Sequence, residues 1–436
     1  MFQMKHFINR VKELALLKRA ESSRGLWVFY GRRRVGKTHL IKHHFEKHAG
    51  RYAQAIEGHV SLQIEQVLND WNLQVPVLPR TWIEFFKVID ELADPDILGD
   101  ILCIDEFPYL VETTPELPSL FQRWWDHRKN KKCLFIIAGS SRGMMHSLFL
   151  EESSPMFGRA EAVTLIEPMD YAAFCQFHHL AVGEVDHFLS YSLVGGMPKY
   201  WQWLDPDSSA LENAHELFFS EYARMEHEPR RVLSDEKIEG IQPMMLLESI
   251  GRGAHRVSEI AGRIGVPQTS LGRGLRLLLD SSLIQREMPY GETLKTSKRT
   301  LYKIIDPMLY FWFGTYSALR VRWHQMDQSA RRQAIYLHAS KVFENEVRQQ
   351  FRFSSRYWNE KGEIDWISPD LALGAKPKDI LVGEVKFTTL KKSQKAGLEL
   401  ELTKKIETLG LNAKCNTTSI QVWDWPAFVA HLSQRR

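Results

Sequence analysis

Two patterns of apolar and polar positions alternate along the first 180 residues. Short, almost wholly apolar runs predict strands, and the stretches between them carry apolar residues at helical spacing. The predicted strands are 26–30, 51–56, 101–105, 133–138 and 162–166. Because strands separated by helices usually form parallel sheets, residues 1–180 are predicted to fold as an α/β domain with a parallel sheet.

Further patterns follow this domain. Residues 170–240 have a helical pattern rich in aromatic residues, and 241–315 has the pattern of short helices followed by a hairpin. Residues 316–340 are predicted as a helical connector, and in 341–436 a helix, two strands, a helix and a strand follow one another. The second, smaller α/β domain is placed at 325–436. The expected fold class is therefore α/β, with a helical part and a hairpin part between the two α/β regions.

A glycine-rich motif directly follows the first predicted strand. The sequence Gly31-Arg-Arg-Arg-Val-Gly-Lys-Thr38 lies between that strand and a helical pattern, the context that is typical of a phosphate-binding loop. The glycines let successive N–H groups point at phosphates, and the helix N-terminus adds the positive end of its dipole. Lys37 would lie between the β- and γ-phosphates, and the Thr38 hydroxyl would bind Mg²⁺. The residues expected to bind ATP are Gly31, Arg32, Arg33, Arg34, Val35, Gly36, Lys37, Thr38 and His39.

Two acids end the third predicted strand. Asp105 is expected to hold the Mg²⁺ shell, and Glu106 to polarise the attacking water, so the pattern predicts ATP hydrolysis as well as binding. The alternative is a buried strand that happens to end in a carboxylate pair before a Phe-Pro turn. The phosphate-binding loop upstream favours the catalytic interpretation.

Two polar residues are further candidates for the nucleotide site. Ser140 or Ser141 follows strand 133–138 and could hydrogen-bond the water or the γ-phosphate, although an ordinary Gly-Ser-Ser turn is an equal alternative. Arg159, in a loop after Gly158, could neutralise transition-state charge, either in its own chain or in a neighbouring subunit of a homo-oligomer. The alternative is one of many surface arginines.

Residues 7–200 resemble the archaeal-type AAA-related ATPase family. The resemblance is carried by Phe7, Asn9-Arg10, Glu13-Leu14, the phosphate-binding loop, Ile104-Asp-Glu-Phe-Pro108, Ala138-Gly-Ser-Ser-x-Gly-Met-Met145, Gly158-Arg159 and Gly195-Gly-Met-Pro-x-Tyr200. It implies that the segment Asn9-Arg10 lies beside the adenine and that helices within 170–240 form a lid, assigned to 181–240. Proteins of this family often carry a winged helix and a C-terminal nuclease-like domain.

The segment 249–303 is basic, with ten Lys or Arg residues against four Asp or Glu, whereas the whole chain has a net charge of only +4. Two helical patterns separated by a Gly-Val-Pro turn, followed by the hairpin, predict a winged helix-turn-helix over 241–315. The charge favours DNA as its partner, and the alternative is a winged helix that contacts protein or packs according to bound nucleotide. The side chains expected to meet DNA phosphates are Arg273 and Arg276 on the recognition helix and Lys295, Lys298 and Arg299 at the wing tip.

A second set of acids lies in the C-terminal region. Asp365 and Glu384 fall on two predicted strands, and the strand period of two puts Lys386 on the same face as Glu384. Two carboxylates and a lysine would form a Mg²⁺ site suited to phosphodiester hydrolysis, and Glu344 on the preceding helix could complete it. This arrangement resembles the restriction-endonuclease-like nuclease core. The alternative is an ordinary amphipathic hairpin with a paired Glu and Lys.

The remaining features narrow the class of protein. No run of about 18 apolar residues predicts a membrane helix, the N-terminus lacks a signal-peptide core, and the four cysteines form no Cys-x-x-Cys pair, so a cytoplasmic protein is expected.

The preferred hypothesis is an ATP- and Mg²⁺-dependent protein that acts on DNA and has a C-terminal nuclease site. The first alternative is a nucleotide-dependent signalling switch whose C-terminal domain docks DNA or protein without cleavage. A chaperone-like remodeller is a third, weaker hypothesis.

Overall fold

The computed structural model describes residues 7–92, 99–129, 132–293, 297, 299–351, 353–372, 376 and 378–434. The chain forms two compact units. The first comprises Met1–Pro168, Met197–Lys199 and Val232–Ile238, and the second comprises Met169–Gly196, Tyr200–Arg231 and Glu239–Arg436. Among the described residues, no helix has the length and apolarity needed to cross a membrane.

A five-stranded sheet forms the centre of the first unit. Its strands are β1 (Gly25–Tyr30), β2 (Arg51–Gln54), β3 (Ile101–Asp105), β4 (Leu134–Gly139) and β5 (Ala160–Leu165). Their order is β2-β3-β4-β1-β5, and every neighbouring pair is parallel. The central strands β1, β3 and β4 are apolar and buried almost throughout, as expected for a parallel sheet with both faces covered. The prediction of a parallel α/β domain is confirmed.

Helices link the strands of the first unit. They span Val11–Ser23, Lys37–Phe45, Val60–Asp70, Trp82–Glu91, Pro108–Thr113, Leu117–His127 and Arg142–Leu150. Aromatic side chains from these helices fill the core against β4, where Phe121 and Trp71 pack edge-on against Phe135. The phosphate-binding loop follows β1, and Asp105 and Glu106 lie at the carboxyl end of β3, so the topology brings them to one edge of the sheet.

Helices form the first part of the second unit. They span Tyr171–His178, Val185–Val194, Pro198–Trp201, Ala210–Ala214 and Glu228–Asp235, with a π-helical turn at His215–Phe219; Pro198 and Lys199, and residues 232–235, belong to the first unit. Next come helices Gln242–Gly251, Val257–Ile264 and Gly272–Asp280, and the hairpin of β6 (Ile284–Glu287) and β7 (Leu301–Ile304). Short helical segments follow at Pro307–Phe311, Trp312–Tyr316, Ser317–Leu319 and Trp323–Gln325.

The C-terminal part of the second unit is built on a four-stranded sheet. Its strands are β8 (Ser355–Asn359), β9 (Gly362–Pro369), β10 (Asp379–Lys386) and β11 (Asn416–Asp424), and its helices are Gln328–Gln349, Lys392–Thr408 and Trp425–Gln434. The order is β11-β10-β9-β8, with β9 antiparallel to both of its neighbours and β10 parallel to β11. The sequence pattern missed β8 and the last helix, because the Ser-Arg-Tyr-Trp-Asn strand shows no clear alternation of apolar and polar residues.

Candidate functional site

Backbone geometry shapes the phosphate-binding loop. At Gly31, φ is 155°, and a Cβ atom would lie only 2.5 Å from the Ile166 carbonyl oxygen, so a side chain cannot fit there. Gly36 caps the helix that begins at Lys37 and has a φ of 99°, in the left-handed region that favours glycine. The two glycines of the motif therefore stand where the loop requires them.

Lys37 lies inside the curve of this loop. Its side chain is buried, and Nζ donates hydrogen bonds to the carbonyl oxygens of Gly31 at 2.7 Å and Arg32 at 3.2 Å. Burial lowers the pKa of the Lys37 ammonium, although the nearby carboxylates of Glu106 and Asp105 oppose this effect. Backbone carbonyl oxygens thus hold the Lys37 ammonium in this structure. The phosphate of a nucleotide would replace these oxygens as the partner of the ammonium.

The two residues predicted to bind Mg²⁺ meet in the structure. Asp105 is fully buried at the end of β3, and its Oδ2 accepts a hydrogen bond of 2.5 Å from the Thr38 hydroxyl. Tyr52 on β2 donates to the same oxygen at 2.9 Å. Hydroxyl and carboxylate oxygens are ligands that Mg²⁺ prefers, so the side chains fit the ion. The sequence analysis did not identify Tyr52, since its role depends on the neighbouring strand.

Glu106 is held by the end of the next strand. Its backbone φ is 55°, and its Oε2 accepts hydrogen bonds from the Ser140 hydroxyl at 2.6 Å and from the Ser140 N–H at 3.1 Å. Ser140 was expected to contact the water or the γ-phosphate, but its hydroxyl contacts Glu106 in this structure. Ser140 therefore orients the carboxylate that is predicted to polarise water.

The segment Asn9-Arg10 lies against the phosphate-binding loop. Arg10 is buried, and its guanidinium donates to the Val35 and Glu167 carbonyl oxygens, each at 2.7 Å. The Asn9 side chain accepts a hydrogen bond from the Arg10 N–H at 2.8 Å. Arg10 thus supports the loop from behind, and the proposed place of this segment beside the adenine stays a prediction.

Arg159 has partners away from the phosphate-binding loop. It forms a two-pronged ion pair with Asp126 on helix Leu117–His127, with nitrogen–oxygen distances of 3.2 and 3.0 Å, and donates to the Pro155 carbonyl oxygen. These contacts do not involve the phosphate-binding loop. A role of Arg159 at the nucleotide, in its own chain or in a neighbouring subunit, stays a prediction.

The arginines of the loop have acidic partners that the sequence analysis missed. Asp235, in the segment Val232–Ile238, lies 2.5 Å from Arg33 and 3.7 Å from Arg34. Glu236 accepts a hydrogen bond of 3.1 Å from the Arg142 N–H, and burial raises the pKa of Glu236 to about 7. No local motif marks these acids, because about 200 residues separate them from the loop. His39, also expected at the nucleotide, is exposed on the helix after the loop.

The predicted C-terminal acids also converge. Lys386 Nζ lies 2.6 Å from Glu384 Oε1, and the Val385 N–H donates to Asp365 at 3.3 Å. Burial and the negative charges of Glu384 and Glu344 together raise the pKa of Asp365 to about 6. A helix and two strands therefore place three carboxylates in one electrostatic cluster. A second cation, Lys405, lies 3.5 Å from Glu384.

A buried network of charges holds the Glu344 side chain. Arg356 lies 3.6 Å from Glu344, and Arg348 lies 4.0 Å away. Both arginines also contact Glu287 of the hairpin, which pairs with Lys303 at 3.0 Å. Burial alone would raise the pKa of Glu287, but the charges of Lys303, Arg348 and Arg356 lower it to about 2. Sequence reasoning could not find this network, because it joins three separate elements.

The structure describes some of the residues of segment 249–303 that are predicted to meet DNA, and others lie outside the described residues. Arg273 and Arg276 are exposed on helix Gly272–Asp280, as predicted, and its apolar side chains Leu275 and Leu278 are buried. The wing-tip residues Lys295 and Lys298 lie outside the described residues.

Arg299 corrects one prediction about the wing. Its guanidinium donates to the Trp358 carbonyl oxygen at 2.8 Å and pairs with Glu292. The Tyr290 N–H also donates to the Arg356 carbonyl oxygen at 2.7 Å. The hairpin thus packs against β8, and Arg299 serves this contact instead of extending from a wing tip to meet DNA.

Comparison with known proteins agrees with the geometry of the first site. Residues 7–204 match the family described as an ATPase domain predominantly from Archaea. The chain is 28% identical over 434 residues to an uncharacterized protein of Methanocaldococcus jannaschii, with 93% of each chain covered.

Two solved structures are similar to this chain, and the first of them shares its fold. A Walker-type ATPase of Pyrococcus abyssi superposes with a TM-score of 0.54 at 20% identity, covering 70% of this chain and 96% of that one. The ORC2 protein of Aeropyrum pernix, in its ADPNP–ADP complexes, has a TM-score of 0.44 at 13% identity, covering 74% and 97%. Residues 7–204 are therefore similar to an archaeal-type ATPase domain, and the match together with the phosphate-binding loop supports ATPase activity in this part of the chain.

Proposed function

We propose that the protein combines ATP hydrolysis in its first unit with Mg²⁺-dependent cleavage of DNA in its second. The convergence of Glu344, Asp365 and Glu384 beside Lys386 carries the proposal. Buried carboxylates so close together repel one another, and a bound divalent cation relieves that repulsion.

At the ATPase site, each residue has a role that its contacts support. Thr38 and Asp105 would hold Mg²⁺, which neutralises charge on the phosphates when it is bound. Lys37 would exchange its backbone partners for phosphate oxygens. Glu106 would orient a water molecule and accept its proton, and the hydrogen bonds from Ser140 would fix the carboxylate during this step.

At the C-terminal site, the residues would bind Mg²⁺ or position the reacting groups of DNA hydrolysis. Asp365 and Glu384 would hold Mg²⁺, whose chemistry is to activate water and stabilise the leaving oxygen. Glu344 would complete the set of oxygen ligands. The Lys386 ammonium lies 2.6 Å from Glu384, where it could position the water or the scissile phosphate.

The helices and hairpin of 241–315 are proposed as a winged helix that binds DNA. The exposed Arg273 and Arg276 lie on one helix, and neighbouring basic side chains give the segment 249–303 its positive charge. Contacts to phosphates position DNA without reading its sequence, so we expect binding that weakens steeply with salt.

DNA cleavage by the full chain tests this proposal. Wild type, Asp365→Asn and Glu399→Gln would be incubated with Mg²⁺ and with single-stranded, duplex and branched DNA, each with and without ATP. Glu399 is an exposed acid on helix Lys392–Thr408 and serves as the control. We expect cleavage by wild type and Glu399→Gln and its loss in Asp365→Asn. If the wild type hydrolyses ATP but cleaves no DNA, the signalling-switch alternative is favoured instead.

A further inference from the structure

Three potential metal ligands meet behind the phosphate-binding loop. Glu21 lies on helix Val11–Ser23, whereas His44 lies in the last turn of helix Lys37–Phe45 and His48 follows that helix by one turn. Glu21 Oε1 is 2.6 Å from His44 Nε2 and 2.9 Å from His48 Nδ1. All three ligand atoms lie within 4.8 Å of one another.

Simple hydrogen bonding does not account for this cluster. His44 is only 4% exposed, and neither its Nε2 nor Glu21 Oε1 has a hydrogen bond of acceptable geometry within the described part of the chain. The two atoms are close but poorly aligned, which leaves two buried polar atoms unsatisfied, a rare and costly condition. A shared ion would give both atoms a partner.

The types of donor atom fit the same conclusion. Neutral imidazole is the form that binds metals, and a carboxylate supplies the negative charge that a divalent ion requires.

We propose that Glu21, His44 and His48 bind a transition-metal ion of the zinc class. Two imidazoles and one carboxylate are a known donor set for Zn²⁺, with a fourth position left to water. Ligands about 2.1 Å from a tetrahedral ion lie roughly 3.4 Å apart, so small side-chain rotations would complete the site. His48 and Glu21 are partly exposed, which gives the ion a route of entry.

The bound ion would tie two helices of the nucleotide site together. Helix Val11–Ser23 begins directly after Arg10, which supports the Val35 carbonyl of the phosphate-binding loop. Helix Lys37–Phe45 begins with the loop's own Lys37. Binding only to the folded state stabilises that state, so the ion would raise the thermal midpoint of the protein.

Metal titration of the full chain tests this site. The chain, free of any histidine tag and stripped of metal with a chelator, would be titrated with Zn²⁺ against a chromophoric chelator and with Co²⁺ by visible absorption. We expect one Zn²⁺ per chain at this site, and a loss of affinity of at least about tenfold in His48→Gln and in Glu21→Gln. His43→Gln is the matched control, because His43 lies on the same helix but stacks on Phe7 and contacts Glu46.

The result would be decisive in either direction. Zn²⁺ binding that is absent, or that persists unchanged in both His48→Gln and Glu21→Gln, would refute the site. Since the C-terminal carboxylates could take up the same ions, the titration would be repeated in Asp365→Asn protein. Circular dichroism of His48→Gln and Glu21→Gln, whose substituted side chains are partly exposed, would confirm that affinity is lost from a folded chain.

Discussion

At the scale of single residues, the predicted water-orienting group depends on one neighbour. Ser140 holds Glu106 through its hydroxyl and its N–H, while Ser141 caps the next helix without a side-chain hydrogen bond to that helix. Substitution of each of the two adjacent serines therefore distinguishes the loss of the contact with the Glu106 carboxylate from the mere replacement of a serine.

Ser140→Ala is predicted to lower the rate of ATP turnover by about tenfold, because one of the two hydrogen bonds that orient Glu106 is lost. The KM for ATP should change little, since the hydroxyl contacts the carboxylate. Steady-state phosphate release would measure both quantities, with Ser141→Ala as the control. Equal effects of the two substitutions would argue against the orienting role.

A buried histidine makes stability depend on pH. His338 hydrogen-bonds the Ser192 carbonyl oxygen at 2.8 Å through Nε2, and burial lowers its pKa to about 4. In the unfolded chain, the histidine binds a proton near pH 6.5. The contribution of the neutral, buried His338 to the free energy of unfolding is therefore fully present above that pH and is lost as the pH falls towards 4. Between pH 6.5 and about 5 the loss is about 2 kcal/mol.

His338→Gln should remove this part of the pH dependence. Thermal unfolding of both proteins across that range would show a steeper decline of the midpoint for the wild type. Parallel curves would contradict the assignment of the buried, neutral histidine.

Single residues were predictable where their chemistry belongs to a local motif. Lys37, Thr38 and Glu106 stand at fixed places after apolar strands, so spacing alone identified them as candidates. Tyr52 and Asp235 could not be found this way, because each acquires its partner through folding, one from an adjacent strand and the other from about 200 residues away.

At the scale of elements, the segment Val232–Ile238 contacts the phosphate-binding loop through its acids. Asp235 pairs with Arg33 and Arg34, the cations that nucleotide phosphates would also attract. A carboxylate and a phosphate thus compete for the same guanidinium groups.

Asp235→Asn is predicted to strengthen binding of an ATP analogue by about two- to fivefold, the range expected for a partly exposed ion pair. Calorimetric titration would measure the affinity, and Glu239→Gln, at an exposed acid nearby in the sequence, would control for net charge. Weaker binding in Asp235→Asn would instead mean that Asp235 positions the arginines for the nucleotide.

The hairpin and the C-terminal sheet depend on one another through Arg356. Its guanidinium contacts Glu287 on β6 and Glu344 and Glu363 from the C-terminal part. Arg356→Leu should cost about 3–5 kcal/mol, because the buried carboxylates of Glu287 and Glu344 each lose one of their cations. Urea unfolding would measure the loss, and Arg286→Ala, at an exposed arginine of β6, should change stability by less than about 0.5 kcal/mol.

Helices and strands were predictable where their pattern of apolar residues is clear. The buried parallel strands lie within about two residues of their predicted bounds, because continuous apolar runs mark them clearly. Strand β8 escaped prediction, since its Arg356 is buried by ion pairs that no local pattern reveals. Arg299 was wrongly predicted to meet DNA from the wing tip, because no local pattern reveals its contacts with Glu292 and with the Trp358 carbonyl oxygen.

At the scale of the whole molecule, each unit carries its own set of acids and cations. The first has Asp105 and Glu106 beside the phosphate-binding loop, and the second has Asp365 and Glu384 beside Lys386. The sequence placed these two sets in separate predicted domains, and the structure assigns them to separate units. We propose that one chain carries two separable hydrolytic sites.

Measuring ATP hydrolysis and DNA cleavage in the same samples of wild type, Glu106→Gln and Asp365→Asn tests this claim most directly. We predict that Asp365→Asn loses DNA cleavage and keeps ATP turnover, and that Glu106→Gln loses ATP turnover while its C-terminal site is unaltered. Undiminished DNA cleavage by Asp365→Asn, or ATP turnover without DNA cleavage in the wild type, would contradict the account of two sites.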